Sequence, residues 1–222
     1  MRNLINICCI KLEYILGNFK AKILLQKVGK KCHLSKSIKY LNPSNIHIAD
    51  DVEVKEYSTL DARTNSNIGI NIGKQCRIKE NVALICYSGF VNIQNNVLIG
   101  RNTVVLAHGG VEIGEKTLIG PNCLIVASNH ICSLNNIDFQ EQGFTKQKIK
   151  IGRNVWIGGG SKILGGTIIN DNVVIAAGSV VPKMTLDSGF IYSGVPAEKK
   201  RTLKEKEFES EEVYYKNWDT YI

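Results

Sequence analysis

Residues 151–181, IGRNVWIGGGSKILGGTIINDNVVIAAGSVV, repeat every six residues. Aliphatic side chains stand at Ile151, Ile157, Ile163, Ile169, Ile175 and Val181. Four places after each of the first five come Val155, Ser161, Thr167, Val173 and Ser179, all small or β-branched. Gly or Ala follows the leading residue at Gly152, Gly158 and Ala176, while Leu164 and Asn170 break that column. A period of six matches neither the 3.6 of a helix nor the 2 of an isolated strand. It fits a parallel β-helix, in which each hexad makes one short flat strand and one corner. The leading aliphatic residue then points inward, and the small residue leaves room to turn.

Upstream the period is weak at Ile48 and Val54, then clear in sets of three: Ile72, Ile78, Leu84; Ile93, Ile99, Val105; Ile113, Ile119, Ile125. Three hexads close one triangular coil, and coils must stack to bury their inner faces. Between sets the step lengthens to nine residues around Tyr87-Ser88-Gly89, eight around His108-Gly109-Gly110, and 26 between Ile125 and Ile151. Every insertion follows the third hexad, so all three are expected at one corner on successive coils. A long loop in a repeat fold is where function is expected. After Val181 the pattern stops. Residues 198–212 read as a solvated helix, and 213–222 as a docked tail.

Charge sets the N-terminal segment apart. Of the net +8, residues 1–40 supply nine Lys/Arg against one acid, Glu13, leaving 19 basic and 19 acidic residues elsewhere. No nucleic-acid partner is expected of so neutral a body. Residues 1–28 read as an amphipathic helix with Ile5, Cys8, Leu12, Ile15 or Leu16, Phe19 and Ile23 at three- and four-residue steps. Two readings stay open: a cover for the open end of the β-helix, or a basic segment lying on an anionic membrane leaflet. The longest apolar run, Ile7–Ile10, is too short to span a bilayer, and no secretory cleavage signal is expected. The seven cysteines show no CxxC or Cys/His metal spacing; Cys76 and Cys123 fall in the small inward column. This usage suits a reducing compartment, so the expected location is the cytoplasm.

The long loop opens Ala127-Ser128-Asn129-His130. A neutral imidazole at its base has the pKa range to take a proton from an acceptor hydroxyl. His108, on the insertion beneath, is the second candidate, and Ser128 and Asn129 are acceptor-site candidates. Trp156 occupies an outward strand position, where an aromatic side chain calls for a partner chain or ligand. Gly159 and Gly160 follow it, and Ala176-Ala177-Gly178 repeats the smooth surface one coil on. A bare backbone N–H at Gly159 suits a developing oxyanion. The track leads toward Lys183, Lys199, Lys200 and Arg201, as a thioester cofactor carrying phosphates would require.

The pattern N-V-W-I-G-x-x-x-x-I-x-x-G-x-x-I over 154–169, then A-G-S-V-V over 177–181 and G-V-P-A over 194–197, resembles the hexapeptide-repeat acetyltransferases. Within them it is most similar to sugar and polysaccharide O-acetyltransferases of the maltose/galactoside type, over about 45–201 and most specifically 113–201. The resemblance implies a left-handed β-helix assembled as a homotrimer, with acetyl-CoA bound between adjacent prisms and no metal. It implies His130 as catalytic base, Trp156 beside the pantetheine arm, and Gly159 near the thioester, where some relatives carry Ser. Ala177 matches a backbone position contacting coenzyme A, and Gly178, beside it on the smooth surface, is a further cofactor-binding candidate. Pro182 and Lys183 match a pair at its nucleotide end, where Pro lacks one N–H. Arg201 matches a basic residue near its phosphate; Glu198 departs from a basic residue seen in some relatives, and Lys199 or Lys200 is the expected substitute.

The resulting expectation is three segments: a basic helix and connector over 1–44, a left-handed β-helix over 45–197 with loop 126–150 inserted, and a C-terminal helix and tail over 198–222. The expected reaction is acetyl transfer from acetyl-CoA to a sugar hydroxyl of a carbohydrate acceptor, a bacterial surface polysaccharide or its lipid-linked precursor. Alternatives are N-acetylation of a nucleotide-linked amino sugar, a zinc carbonic anhydrase needing three clustered His ligands, and a non-catalytic trimeric scaffold. Peripheral membrane contact through residues 1–28 is a further expectation.

Overall fold

The computed structural model describes residues 2–64, 67–134 and 136–203, with side chains from residue 11 onward. One helix, α1 (Arg2–Leu24), precedes a stack of short strands on three faces. Face one carries eight strands from Lys27–Val28 to Thr185–Leu186, and face three carries seven from Lys39–Leu41 to Val180–Val181. Face two runs from His33–Leu34 to Phe190–Gly194 and ends on a ninth, antiparallel strand, Ala197–Thr202. Within each face the other strands pair in parallel, as in the register Ile72, Ile93, Ile113, Ile151. This is the β-helix expected from the hexads, and its winding is that of the left-handed form.

The leading aliphatic residues fill the prism. Ile72, Ile78, Leu84, Ile99, Ile125, Ile157, Ile163 and Ile175 are fully buried, as are the small-column residues Cys76, Thr117, Ser161 and Thr167. The hydroxyls in that column are satisfied locally: Ser161 Oγ donates to the Gly158 carbonyl at 2.7 Å, and Thr167 Oγ1 to Leu164 at 2.7 Å. Burial pushes the Cys76 thiol up to about 11, so it behaves as a core side chain.

The corners use the left-handed backbone region, which favours Asn and Gly. Between faces two and three, Asn81, Asn102 and Asn122 stack with φ of 55°, 59° and 58°. Asn81 Nδ2 donates to Asn102 Oδ1 at 3.0 Å, and Asn102 Nδ2 to Asn122 Oδ1 at 3.2 Å. Above them the same corner is taken by Gly160 (φ 74°) and Gly178 (φ 73°), so the amide ladder gives way to a bare surface.

Three expectations are corrected. The β-helix starts before residue 45, with a coil of Lys27–Val28, His33–Leu34 and Lys39–Leu41. Val28, Leu34 and Tyr40 keep the six-residue step, but Tyr and the charged neighbours mask it. The pattern also continues past Val181 through Leu186 and Tyr192, both buried; the step to Leu186 is one residue short. Residues 198–202 are strand, because pairing with Phe190–Gly194 extends face two. Residues 204–222 lie outside the described residues, and with them the rest of the expected helix and tail.

Helix α1 covers the first coil with its polar side. That coil leaves backbone groups with no strand beneath them, and these need partners. Asn18 Nδ2 donates to the Cys32 carbonyl at 2.7 Å, while its Oδ1 accepts from the Leu34 N–H at 3.1 Å. Lys20 Nζ donates to the Lys36 and Ile38 carbonyls at 3.0 and 2.7 Å, and Glu13 Oε1 accepts from the Lys36 N–H at 3.1 Å. Gly17 lies so close that a Cβ there would fall 1.8 Å from the Leu34 oxygen. The apolar stripe consequently points away from the protein.

Candidate active site

The three insertions meet at the corner between faces three and one. Residues after Val126 form a hairpin, Ser128–His130 paired antiparallel with Phe144–Lys146, which sets His130 opposite Phe144. Its base is clamped where Gly109 and Gln147 both donate to the Ala127 carbonyl at 3.0 Å. A Cβ on Gly109 would lie 2.5 Å from the Gln147 nitrogen, so the approach requires glycine.

Four rings line this corner. Tyr87 stacks on His108 with centroids 4.4 Å apart, His108 meets the edge of Phe144 at 5.0 Å, and Phe144 meets His130 at 6.3 Å. Ser128 Oγ lies 3.3 Å from His108 Nδ1. Lys146 Nζ donates to Ser88 Oγ at 2.8 Å, bridging the long hairpin to the first insertion. Burial first, then the charges of Lys146 and His130, hold the His108 pKa below its ordinary 6.5. An imidazole so placed stays neutral at working pH. His130 and Asn129 are exposed. Lys183 reaches the same corner, its side-chain carbons 2.9–3.3 Å from where a Cβ of Gly166 would stand.

The second group lies on face two and the corner beyond it. Trp156 is 55% exposed and stands in register with Leu118 below and Val174 above. Val174 pairs with Ile191, and Ile191 with Arg201. One outward column therefore runs Leu118, Trp156, Val174, Ile191, Arg201, apolar along its length and cationic at its end. At about 4.8 Å per strand, Trp156 and Arg201 are roughly 14 Å apart. Lys199, in contrast, pairs with Asp187 at 2.7 Å and lies 3.7 Å over the Phe190 ring, bracing the end of the stack.

Beside this column, Gly158 packs tightly; a Cβ on it would lie 2.4 Å from the Ala177 nitrogen. Among the described residues the N–H groups of Gly159 and Ala177 have no hydrogen-bond partner. Pro121, which has no N–H, fills the equivalent place one coil below, so the stack itself does not use that hydrogen. Gly160 and Gly178 carry no side chain over these amides, and a Cβ on Gly178 would meet nothing within 4 Å. The surface fits a thin ligand that accepts backbone hydrogen bonds.

The predicted site residues thus divide into two groups. His130, His108, Ser128, Asn129, Pro182 and Lys183 belong to the corner between faces three and one. Trp156, Gly159, Ala177, Gly178 and Arg201 belong to face two and the corner between faces two and three. The single rail expected from Trp156 to Lys183 is corrected: face three separates them. The five steps from Gly160 to Gly165 span roughly 16 Å at about 3.3 Å each. Tyr87, Phe144 and Lys146 were missed by sequence reasoning. Tyr87 stood in the first insertion, but nothing in the chain marked Phe144 as its neighbour. Among the described residues no group of three His, Cys, Asp or Glu side chains could hold a metal ion.

Comparison with known proteins places this architecture. Residues 148–183 match the family described as bacterial transferase hexapeptide (six repeats). A putative acetyltransferase of Saccharomyces cerevisiae is 31% identical over 175 residues, covering 75% of this chain and 87% of that protein. The galactoside O-acetyltransferase of Escherichia coli is 30% identical over 133 residues, 60% of this chain and 62% of that enzyme. For another relative, a probable acetyltransferase of Mycobacterium tuberculosis, the chain spans only 37% of the length. Among solved structures, a mutant N-acyltransferase from Bacillus cereus in complex with dTDP and coenzyme A superposes with a TM-score of 0.61. It is 24% identical and covers 85% of this chain and 89% of its own, a likeness of fold. The chain belongs to the hexapeptide-repeat acetyltransferases.

Proposed function

We propose that the protein transfers an acetyl group from acetyl-CoA to a sugar hydroxyl, at sites formed between the subunits of a homotrimer. The observation that carries this reading is the division of the site. A base-bearing corner and a smooth, apolar, cation-ended column stand on one chain with a whole face between them. A cyclic assembly brings the corner of one subunit to the column of the next. A relative named for galactoside O-acetylation supports a carbohydrate acceptor.

In this reading the face-two column takes the pantetheine arm over Trp156 and the phosphates toward Arg201. His130 of the neighbouring subunit removes the acceptor hydroxyl proton as the oxygen attacks the thioester carbonyl. The Gly159 N–H is aimed at the oxygen on which charge develops. As the C–S bond breaks, the imidazolium returns its proton to the departing thiolate, so no acyl-enzyme forms. Tyr87 and His108 form the floor against which a sugar ring packs. The acceptor assigned is a surface polysaccharide unit or its lipid-linked precursor.

The test is His130→Ala, assayed by thiol release with a panel of sugars and aminosugars and by coenzyme A binding. General-base assistance accounts for about 10²–10⁴ in rate. Loss of that order with coenzyme A binding intact supports the assignment; near-normal turnover overturns it. Preferential acetylation of a free amine would overturn the hydroxyl assignment.

A further inference from the structure

Helix α1 sits the wrong way round for an ordinary surface helix. Its polar residues Glu13, Asn18 and Lys20 face the protein, and Ala21 is its one buried apolar side chain among the described residues, with buried Leu25 just past its end. Leu12, Ile15, Leu16, Phe19 and Ile23 face outward, with Ile15 62% and Phe19 and Ile23 each 66% exposed. The inversion has a structural cause. The unpaired backbone edge of the first coil takes the polar stripe, leaving the apolar one for something else.

Charge says what that is. Lys11 and Lys22 border one edge of the stripe along the helix, at about 100° per residue, and Lys27, Lys30 and Lys31 follow its C-terminal end, all exposed. Among the described residues Lys11, Lys22, Lys27 and Lys31 make no ion pair with a carboxylate. A second copy of this face would set those cations against one another. An anionic bilayer satisfies both features at once, taking the apolar stripe at the acyl boundary and the ammonium groups at the headgroups. Among the described residues no helix is long and apolar enough to cross a membrane, so the helix lies along the surface.

We infer that the outward face of α1 is a docking surface for an anionic lipid bilayer, which seats the N-terminal end of the β-helix on the membrane. The inference does not depend on the acyl-transfer reading, since none of these residues belongs to the candidate active site. It is tested with the full-length protein, co-sedimented with vesicles of phosphatidylcholine alone or with one-third phosphatidylglycerol. At least tenfold stronger binding to the anionic vesicles is expected. A tenfold loss is expected for Phe19→Ser/Ile23→Ser and for Lys11→Glu/Lys22→Glu, with the circular-dichroism melt and coenzyme A binding unchanged. Both pairs are exposed, so their folding is not at stake. Equal binding by Phe19→Ser/Ile23→Ser overturns the inference. So does a change of oligomeric state in that variant without vesicle binding by the wild type, which would make the stripe an interface between copies.

Discussion

Replacing Trp156 with Ala separates a ligand-binding role from a packing role. The side chain is outward and 55% exposed. An indole buries on the order of 200 Å² when fully covered, so about 110 Å² is open in the free protein. At about 25 cal/mol per Å² the ceiling for covering it is about 2.7 kcal/mol. A thin arm crossing one side of the ring covers about half, giving roughly 1.4 kcal/mol, or tenfold in affinity. In an assay of coenzyme A release at saturating acceptor, Trp156→Ala should raise the KM for acetyl-CoA about tenfold and leave kcat within about threefold. The core beneath, Ile157 and Ile175, is untouched, so the stability loss should stay near 1 kcal/mol, a few degrees in Tm. An unchanged KM would refute the assignment of the column. A fall in Tm beyond about 10 °C would refute the claim that the residue lies outside the core.

Other outcomes follow from the same geometry. Ile163→Ala empties a fully buried position and should cost about 2–5 kcal/mol in urea unfolding; a loss under about 1 kcal/mol would mean the column is not packed. Gly17→Leu forces a Cβ against the Leu34 oxygen, so α1 should lift and proteases should cut between 24 and 30 while the prism keeps its cooperative melt. Unaltered proteolysis would show that the helix does not dock as described. His108 has its pKa lowered from 6.5, so its neutral form is favoured in the folded state. Its contribution is fully present above about 6.5 and is lost as pH falls through the lower folded value. His108→Gln should reduce the drop in urea midpoint between about pH 7.5 and about pH 5.5; parallel losses in both proteins would exclude His108 as the source.

The core of the fold was legible because the hexad period repeats wherever the inward residue is aliphatic. It faded where Tyr40 and Tyr192 fill inward places and where the step to Leu186 shortens. Strand Ala197–Thr202 was hidden because its charged residues carry no period, and only pairing with Phe190–Gly194 defines it. The amphipathic stripe of α1 was also legible, but its orientation was not. Periodicity locates an apolar face without saying which face docks; here the open carbonyls of Cys32, Lys36 and Ile38 decided it. His130 and Trp156 could be picked out one by one, since each breaks the repeat's composition. Their separation by face three depended on counting corners, which a linear track from Trp156 to Lys183 overlooked.

The central claim, a site shared between subunits, is tested most directly by mixing two inactive variants. His130→Ala removes the base from one corner, and Trp156→Glu places a charge on the donor column of the other. If chains are unfolded together and reassembled at equal amounts, a shared site leaves about a quarter of the interfaces with both groups intact. Activity should then return to about a quarter of wild type from two preparations that have none. No recovery from mixed assemblies of normal size that bind coenzyme A at about half the wild-type capacity would contradict the account and place both groups of each site on one chain.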